Sequence, residues 1–332
     1  MKKFLFILFV VFSCCKKTDK NDSFFSNIKN ITGEIMNIDC LIGKPADLTC
    51  NDTRLFIYDQ FEKNALTIVD TKKNTCITRD LPIGAGPGEV SGPLKIYISN
   101  QGKQLNVFQI QSGKFNTYNF FDDKLSLIES TNINNRPANV VATNNVLVGI
   151  GPFENGRYQI YNKQGDLMQE AGAYPFDGED MEPQRRFFLH QGYLCSQPEG
   201  THFVLGSSYS DNLEFFSAGE NEIKLLKRYG TENVKATFEN IIKLDNSCLL
   251  GYKGAYPTEK HCYMLYSGKT YEENAFRKMW ATHIFVFDWN GDFFKSFRLD
   301  NEVIAFCVDE SNSILYGIVS HDNEAAIMKF KI

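Results

Sequence analysis

The feature that most constrains this chain is a strand pattern that recurs along its length. The clearest copy is His283–Leu299, HIFVFDWNGDFFKSFRL, in which two aromatic-rich runs flank an Asn-Gly turn. Asn-Gly between two such runs is the strongest short-range signal for a β-hairpin. We therefore expect a chain built from repeated antiparallel hairpins.

Six units share this design of two central strands joined by a turn, and in the first five of them an outer strand follows. The first central strands are RLFIYDQ (54–60), QLNVFQI (104–110), VLVGIG (146–151), THFVLGS (201–207), HCYMLYS (261–267) and ILYGIVS (314–320). A further run precedes most pairs, as in LKIYIS, ANVVAT, RFFLHQ (186–191), CLLGYK and VIAFCVD. Four strands repeated radially predict an all-β fold, a six-bladed β-propeller with four-stranded antiparallel blades.

The two ends of the chain are expected to share a blade. The last unit has three strands before the sequence ends at Ile332, while Ile31–Asp39, ITGEIMNID, precedes the first full unit. Pairing them leaves no open sheet edge. We expect a single six-bladed propeller over residues 28–332, with its last blade closed by the N-terminal strand. Only Tyr271–Ala281 is compatible with a short helix, in an insertion.

The first residues have the pattern of an export signal. A basic start, MKK, precedes the apolar run Phe4–Phe12, which is too short to span a bilayer. The run leads into Ser13-Cys14, which resembles the lipobox of bacterial lipoproteins, where the cysteine is acylated and becomes the first residue. Phe12 replaces the small residue usual there, and Cys15 is a poorer acceptor because Cys14 precedes it.

These features predict an export signal followed by a tether. We expect residues 1–13 to be a lipoprotein signal peptide, Cys14 to carry lipid, and residues 14–27 to form a flexible tether. The alternative is an ordinary secretory signal followed by a chance cysteine. On the first interpretation the protein is exported and lipid-anchored to the outer membrane, facing the periplasm or the exterior.

Composition argues against several classes of partner. The net charge is −5 and no run of Lys or Arg after the leader is longer than a pair such as Lys16-Lys17, which argues against nucleic-acid binding. The nine cysteines include no CxxC pair and no His-Cys cluster with metal-ligand spacing. Most lie in apolar strand runs, where cysteine acts as a small buried hydrophobe. We expect neither a metal nor a cofactor.

No catalytic motif stands out either. The glycine-rich loop Gly84–Glu89, GAGPGE, lacks the Gly-Lys-Ser/Thr of a phosphate-binding loop, and a strand rather than a helix follows it. It is better interpreted as a turn between blades. The sequence has no HExxH and no Gly-x-Ser-x-Gly.

A family resemblance rests on these residues. The repeat, the leader, GAGPGE, YSDNLEFF (209–216) and YMLYSGKTYEE (263–273) resemble TolB-like six-bladed propeller lipoproteins of the Bacteroidota. The resemblance covers nearly everything after the tether. It implies the propeller fold and almost nothing about mechanism, because most members of that family have no assigned function.

Loop lengths point to one face of the propeller as the functional one. The long connections, such as 81–93, 173–185 and 267–283, all open on the same face, whereas the opposite turns are short. We expect a non-catalytic binding module whose partner is a protein, a peptide or a glycan. An acidic peptide or a glycan is slightly favoured, because arginine binds carboxylates in a bidentate way. The candidate binding residues are Glu89, Arg136, Glu154, Arg157, Arg185, Tyr209, Tyr271 and Trp280.

The alternative function is enzymatic. Some six-bladed propellers of the lactonase or lyase type hold a divalent metal in the central channel, which requires Glu, Asn and Asp to converge from inner strands. Asn139, Asp245 and Asp309 lie near the expected inner strands, but no sequence feature ties them together.

Overall fold

The computed structural model describes residues 22–61, 63–99, 101–174, 181–220, 222–238, 242–274 and 279–332. The expected signal peptide, Cys14, Cys15 and most of the expected tether therefore lie outside the described residues. Neither helix in the described part of the chain has the length and apolar character needed to cross a bilayer.

The described chain folds into six sheets arranged as the blades of a propeller. Before them come α1 (Asp22–Phe25), β1 (Lys29–Ile31) and β2 (Gly33–Ile35). Blades 1 and 2 contain β3 (Asp47–Cys50), β4 (Arg54–Phe61), β5 (Asn64–Asp70), β6 (Thr75–Pro82), β7 (Leu94–Ser99), β8 (Gln104–Gln109), β9 (Lys114–Phe121) and β10 (Lys124–Asn132). Blade 3 contains β11 (Asn139–Ala142), β12 (Leu147–Ile150), β13 (Tyr158–Tyr161) and β14 (Leu167–Ala171), and is followed by α2 (Pro183–His190).

The second half repeats the arrangement. Blade 4 contains β15 (Gly192–Ser196), β16 (His202–Ser207), β17 (Leu213–Ala218) and β18 (Ile223–Tyr229), and is followed by the hairpin β19 (Ala236–Phe238) and β20 (Ile242–Leu244). Blade 5 contains β21 (Leu249–Pro257), β22 (His261–Thr270), β23 (Ala281–Asp288) and β24 (Phe293–Val303). Blade 6 contains β25 (Phe306–Asp309), β26 (Ile314–His321) and β27 (Glu324–Lys331). The predicted six-bladed, four-stranded architecture is confirmed.

The blades are held together by apolar side chains between neighbouring sheets. Inner and central strands read as nearly continuous buried runs, because both of their faces pack against adjacent blades. One large cluster joins blades 5, 6 and 1 and includes Leu55, Val286 and Phe330, each fully buried. Outer strands such as β10 and β14 are largely exposed. The core is therefore a ring of interfaces around a central channel.

The N-terminal segment closes the ring as expected. β2 is the outer strand of blade 6 and pairs antiparallel with β27, with Gly33 opposite Phe330. A Cβ atom on Gly33 would lie 2.5 Å from Met328 Sδ, so a larger residue there would force the Met328 and Phe330 side chains to shift. β1 adds a feature that the sequence did not predict, since it pairs in parallel with β24 of blade 5. The segment thus fastens blades 5 and 6 together.

The expected flexible tether must be shortened at its end. Residues 14–27 were assigned to it, yet Phe24 of α1 is 1% exposed. Its ring lies 5.0–5.3 Å from those of Tyr229, Phe285 and Phe287, between blades 4 and 5. A large aromatic side chain gains too much from burial to remain in solvent when such a gap is available. Ordered packing therefore begins by Phe24.

The predicted inner strand RFFLHQ is wrong. Residues 186–190 of this run belong to α2, which has Pro183 in its first turn, where proline is well tolerated. The inner strand of blade 4 is β15, which starts at Gly192. A Cβ atom on Gly192 would meet the Gly206 carbonyl oxygen at 2.3 Å, so glycine allows the strands to pair there. In the blade 5 insertion, residues 271–274 form a turn and 275–278 lie outside the described residues, leaving the short-helix prediction untested.

Candidate functional site

The two faces of the propeller differ in the length of their connections. We call loop face the surface formed by the described parts of one set of connections, which include α2 and the β19–β20 hairpin: 83–93, 133–138, 151–157, 172–174, 181–191, 208–212, 230–238, 242–248, 271–274 and 279–280. The opposite turn face is built from short turns such as 51–53, 71–74 and 289–292. The predicted asymmetry of loop length is therefore present in the described structure.

The insertions on the loop face pack against one another. Leu189 of α2, Leu244 of β20 and Cys248 form a small buried cluster. Met181, Val234, Ala236 and Ile242 pack against it, as do the predicted binding residues Tyr209 and Tyr271. This cluster lies outside the main core and turns separate connections into one raised structure. Rigid support of this kind is what a binding surface on loops requires.

Three predicted aromatic residues lie on this raised structure. Tyr209 is half-buried, with its ring 5.6 Å from that of Phe188, and burial raises the pKa of its hydroxyl. Tyr271 and Trp280 flank the undescribed part of the blade 5 loop, and both are partly exposed. The carbonyl of Trp280 accepts a hydrogen bond from the Asn274 amide. The structure therefore brings these three residues to the same face.

The predicted charged residues have different environments. Arg136 and Glu154 are exposed, and Arg186 donates to the Glu154 backbone carbonyl rather than to its carboxylate. Arg185 is partly exposed and lies 3.8 Å from the exposed Glu182 carboxylate. Glu89 accepts a hydrogen bond from the Gly86 amide at 2.7 Å, which shapes the GAGPGE turn. Glu89 therefore has a local structural role in addition to its place on the loop face.

Arg157 is not the exposed anchor that we expected. Its side chain is 2% exposed, and its guanidinium lies 2.9 Å from Glu214 and 3.3 Å from Glu232. Both carboxylates are also buried, and His190 at the end of α2 hydrogen-bonds Glu232 at 3.0 Å. The cluster ties blade 3 to blade 4 and to two insertions. Arg157 thus supports the loop face from beneath and does not present its guanidinium to solvent.

A cavity of about 120 Å³ occupies the central channel beneath the loop face. All six inner strands contribute to its lining, and Met279 of the blade 5 loop lies at its mouth. Met279 is 52% exposed, and its sulfur accepts a weak contact from the Tyr193 hydroxyl at 3.8 Å. The cavity therefore opens on the loop face beside an exposed methionine.

The cavity is lined by more positive than negative groups. Lys95 of β7 lies 3.8 Å from Asp47 of β3, and burial raises the pKa of Asp47. Lys253 of β21 is 2% exposed, and burial lowers its pKa to about 8. Its ammonium donates to the Ser208 carbonyl at 3.0 Å and lies 5.4 Å from the Tyr209 ring centre. This arrangement favours an anionic ligand over a cationic one.

A backbone irregularity positions Lys253. The pairing of β21 with β22 shifts register on both sides of Tyr252, so Gly251 and Lys253 have no opposite residue. A Cβ atom on Gly251 would lie 1.8 Å from the Ser210 carbonyl oxygen, so the blade 4 loop is pressed against this bulge. Bulges commonly re-aim a side chain next to functional sites. Here the bulge lies at the one inner-strand lysine that the described structure buries.

The residues considered for a catalytic metal do not converge. Asn139 lines the cavity, whereas Asp309 caps its own turn by accepting from the Asn312 amide at 3.0 Å. Asp245 accepts from Ser247 in the loop that follows the β19–β20 hairpin. Within the described ranges, no group of three or more His, Cys, Asp or Glu side chains is arranged to hold a metal ion.

Several of these residues escaped sequence reasoning. Lys253 carried a visible signal, because a lysine interrupts the apolar inner-strand run LLGYKGAY. Glu232 and Met279 carried none, since each looks like an ordinary loop residue until the insertions are folded over the channel. Phe188 was assigned to a strand and proves to be an exposed residue of α2.

Comparisons with known proteins agree with this architecture. The profile of the family described as TolB-like 6-blade propeller-like matches residues 23–311. No curated protein matches the chain. A Bacteroides fragilis protein described as exported superimposes with a TM-score of 0.59 at 12% identity, covering 91% of this chain and 94% of that one. A duf4221 family member from Bacteroides vulgatus superimposes with a TM-score of 0.58 at 10% identity, covering 92% and 97%. At such identities these likenesses show the fold alone, whereas the profile match spans most of the sequence. The chain belongs to the TolB-like six-bladed propeller family.

Proposed function

We propose that this protein is a non-catalytic binding module of the cell envelope, which receives a protein or peptide partner on its loop face. The main support for this proposal is that separate insertions pack into one raised structure around the channel mouth. Exposed Phe188 and Met279, with the partly exposed Trp280, supply apolar and aromatic contact area there. Aromatic and methionine side chains are enriched in protein interfaces, and propellers place variable loops on rigid blades.

The proposal includes export and anchoring through lipid on Cys14. Its support is the leader, with a basic start, the apolar run Phe4–Phe12 and Ser13-Cys14 before a polar segment. A Bacteroides fragilis protein of similar fold is itself described as exported. Stable membrane anchoring requires more than one acyl chain, which lipoprotein processing would supply. We assign the anchor to the outer membrane.

Anchoring is tested by Cys14→Ala, with Cys15→Ala as the matched control. Cells fed a labelled fatty acid should incorporate label into the wild-type protein and the Cys15 variant, and both should sediment with membranes. Cys14→Ala should lose the label and should accumulate in precursor form or be released. Labelling of the Cys14 variant at the wild-type level would refute this assignment.

Docking is tested by crosslinking in intact envelopes, followed by identification of the captured protein. Phe188→Ala and Trp280→Ala should each reduce capture at least tenfold, because aromatic anchors dominate interface energies. Phe121→Ala is the matched control, since Phe121 is 75% exposed at the turn-face end of β9. Asn290→Ala in the turn 289–292 is a second control. If the turn-face substitutions abolish capture while the loop-face ones do not, the partner binds the opposite face.

A further inference from the structure

Lys253 is a buried cation whose charge no protein group balances among the described residues. Its side chain is 2% exposed, and within the described ranges its ammonium has one hydrogen-bond acceptor, the Ser208 carbonyl. The Tyr209 ring offers a cation–π contact at 5.4 Å, which is neutral. No carboxylate in the described part of the chain faces Lys253 in the way that Glu214 faces Arg157. Buried charges in proteins are normally paired, because an isolated one is costly to desolvate.

The cavity beside Lys253 has the charge and size to hold an anionic ligand that would balance the charge of Lys253. Asp47 already faces Lys95 at 3.8 Å, so the lining holds two ammonium groups against one carboxylate. The volume of about 120 Å³ corresponds to the share of roughly four liquid water molecules. That is room for a carboxylate with a short stem, and Ile304, Ala305 and Phe306 supply an apolar wall for the stem.

We propose that this cavity is a carboxylate-binding site, in which Lys253 neutralises the bound group and the Lys95–Asp47 pair flanks it. The ligand is either a free small organic acid or the C-terminal carboxylate of a peptide. The inference deepens the proposed function and rests on it in one respect, since the ligand enters from the loop face past Met279. The β-bulge explains how an inner strand presents a lysine at this level of the channel.

The direct test is calorimetric titration of the full-length chain in detergent at pH 7. The probes are acetate, N-acetyl-Ala-Ala and N-acetyl-Ala-Ala amide. We expect saturable binding of at least one acid and none of the amide. Tight binding of acetate identifies a free acid as ligand, whereas binding confined to the peptide acid identifies a peptide C-terminus. Equal binding of the peptide acid and its amide, or no saturable binding of either acid, overturns the proposal.

Lys253→Met should weaken binding of the acid at least tenfold. Lys163→Met is the matched control, because burial also lowers the pKa of Lys163, which is partly exposed, and its ammonium donates to the Thr143 carbonyl in a different cleft. Lys163→Met should bind within twofold of wild type. If Lys253→Met also binds within twofold, Lys253 does not hold the carboxylate and the proposal fails.

A pH series on the wild-type protein keeps the test independent of how the variants fold. Because the pKa of Lys253 is about 8, its ammonium loses its proton as pH rises. Affinity for the acid should therefore fall roughly tenfold between pH 7 and pH 9. The titratable groups that line the cavity are Asp47, Lys95, Tyr97, Tyr193, Cys195 and Tyr256, and Tyr209 and Cys248 also approach Lys253. Burial raises the pKa values of Tyr193, Cys195 and Tyr256, so these three groups stay neutral throughout.

A constant affinity across this range would contradict the role of Lys253. Failure of this inference is distinguishable from failure of the proposed function. Loss of partner capture in Phe188→Ala, together with a negative carboxylate titration, would refute the carboxylate site and leave the loop face as the docking surface.

Discussion

At the scale of single residues, Arg157 departs furthest from the expectation of an exposed loop arginine, because it lies in a buried cluster of charged groups. Its guanidinium joins Glu214, Glu232 and the backbone carbonyl of His190, all shielded from solvent. Arg228 approaches Glu214 from the solvent side. The stability of such a cluster depends on all of its members, because removing one leaves the others desolvated and unpaired. It therefore makes the position of the loop-face insertions depend on blades 3 and 4.

Arg157→Met should lower the free energy of unfolding by about 3–5 kcal/mol, since it leaves two buried carboxylates without their main partner. Arg185→Ala is the matched control, and its partly exposed pair with Glu182 should contribute less than about 1 kcal/mol. Urea denaturation followed by circular dichroism measures both. Equal stability of the two variants would show that the Arg157 cluster has no structural role.

The same cluster predicts a dependence on pH. Burial alone would raise the pKa of Glu232, but the hydrogen bond from His190 and the charge of Arg157 outweigh it and lower that pKa below its usual value. The folded pKa lies below the unfolded one, so Glu232 contributes its full stability above the model-peptide value of 4.5. That contribution is lost as pH falls through the folded pKa. Melting temperatures between pH 7 and pH 3 should therefore fall less steeply for Glu232→Gln than for wild type, and parallel curves would contradict this.

At the scale of elements, the N-terminal segment contributes more to the fold than its short length suggests. α1 and β1 are each a single short piece, yet they cover the seam between blades 4 and 5 and extend the sheet of blade 5. Short strands gain little from their own hydrogen bonds, so the burial of Phe24 must supply most of their attachment. The burial of one aromatic side chain, Phe24, therefore holds the N-terminal segment against blades 4 and 5.

Phe24→Ala should destabilise the protein by about 3–5 kcal/mol, because it empties a closely packed aromatic site. Phe25 is the matched neighbour at 43% exposure, and Phe25→Ala should cost distinctly less. Hydrogen exchange of the β1 amides offers a local readout, and it should speed up in Phe24→Ala alone. Equal exchange in both variants would show that Phe24 does not hold the segment.

At the scale of the whole molecule, the ring is closed by contacts that connect distant parts of the chain. β2 completes blade 6, and Tyr256 of blade 5 reaches across to blade 1 at the lower end of the channel. Its hydroxyl lies 3.2 Å from Thr49 Oγ1 and accepts from the Cys50 amide at 3.3 Å. The tyrosine therefore lines the cavity and links the two blades that flank blade 6.

Tyr256→Phe should cost about 1–3 kcal/mol, because it leaves buried polar groups of blade 1 without a partner. Tyr193→Phe is the control, since among the described residues that hydroxyl hydrogen-bonds only the Met279 sulfur, at 3.8 Å, and its loss should be nearly neutral. Thermal unfolding of both variants tests this. A Tyr256 variant as stable as the Tyr193 variant would mean that the cross-channel contact does not hold the ring.

The sequence by itself determined the architecture of this protein. Alternation of apolar residues and turns such as Trp289–Asp292 acts over a few residues, so it can be recognised without knowing which strands are neighbours in space. The missing outer strand of blade 6 could also be inferred, because a ring permits no open edge. The misassigned run 186–191 shows the limit of this reasoning, since a short apolar stretch fits a helix as well as a strand.

Only the tertiary structure decided which side chains meet. Arg157 looks like any loop arginine in the sequence, and its burial depends on carboxylates 57 and 75 residues away. Lys253 becomes a candidate ligand-binding group only when the other five inner strands surround the channel and, among the described residues, no carboxylate lies opposite it. Electrostatic environment is a property of distances between blades, whereas strand formation is a property of neighbouring residues. For that reason the fold could be predicted from local pattern, and the site required the folded ring.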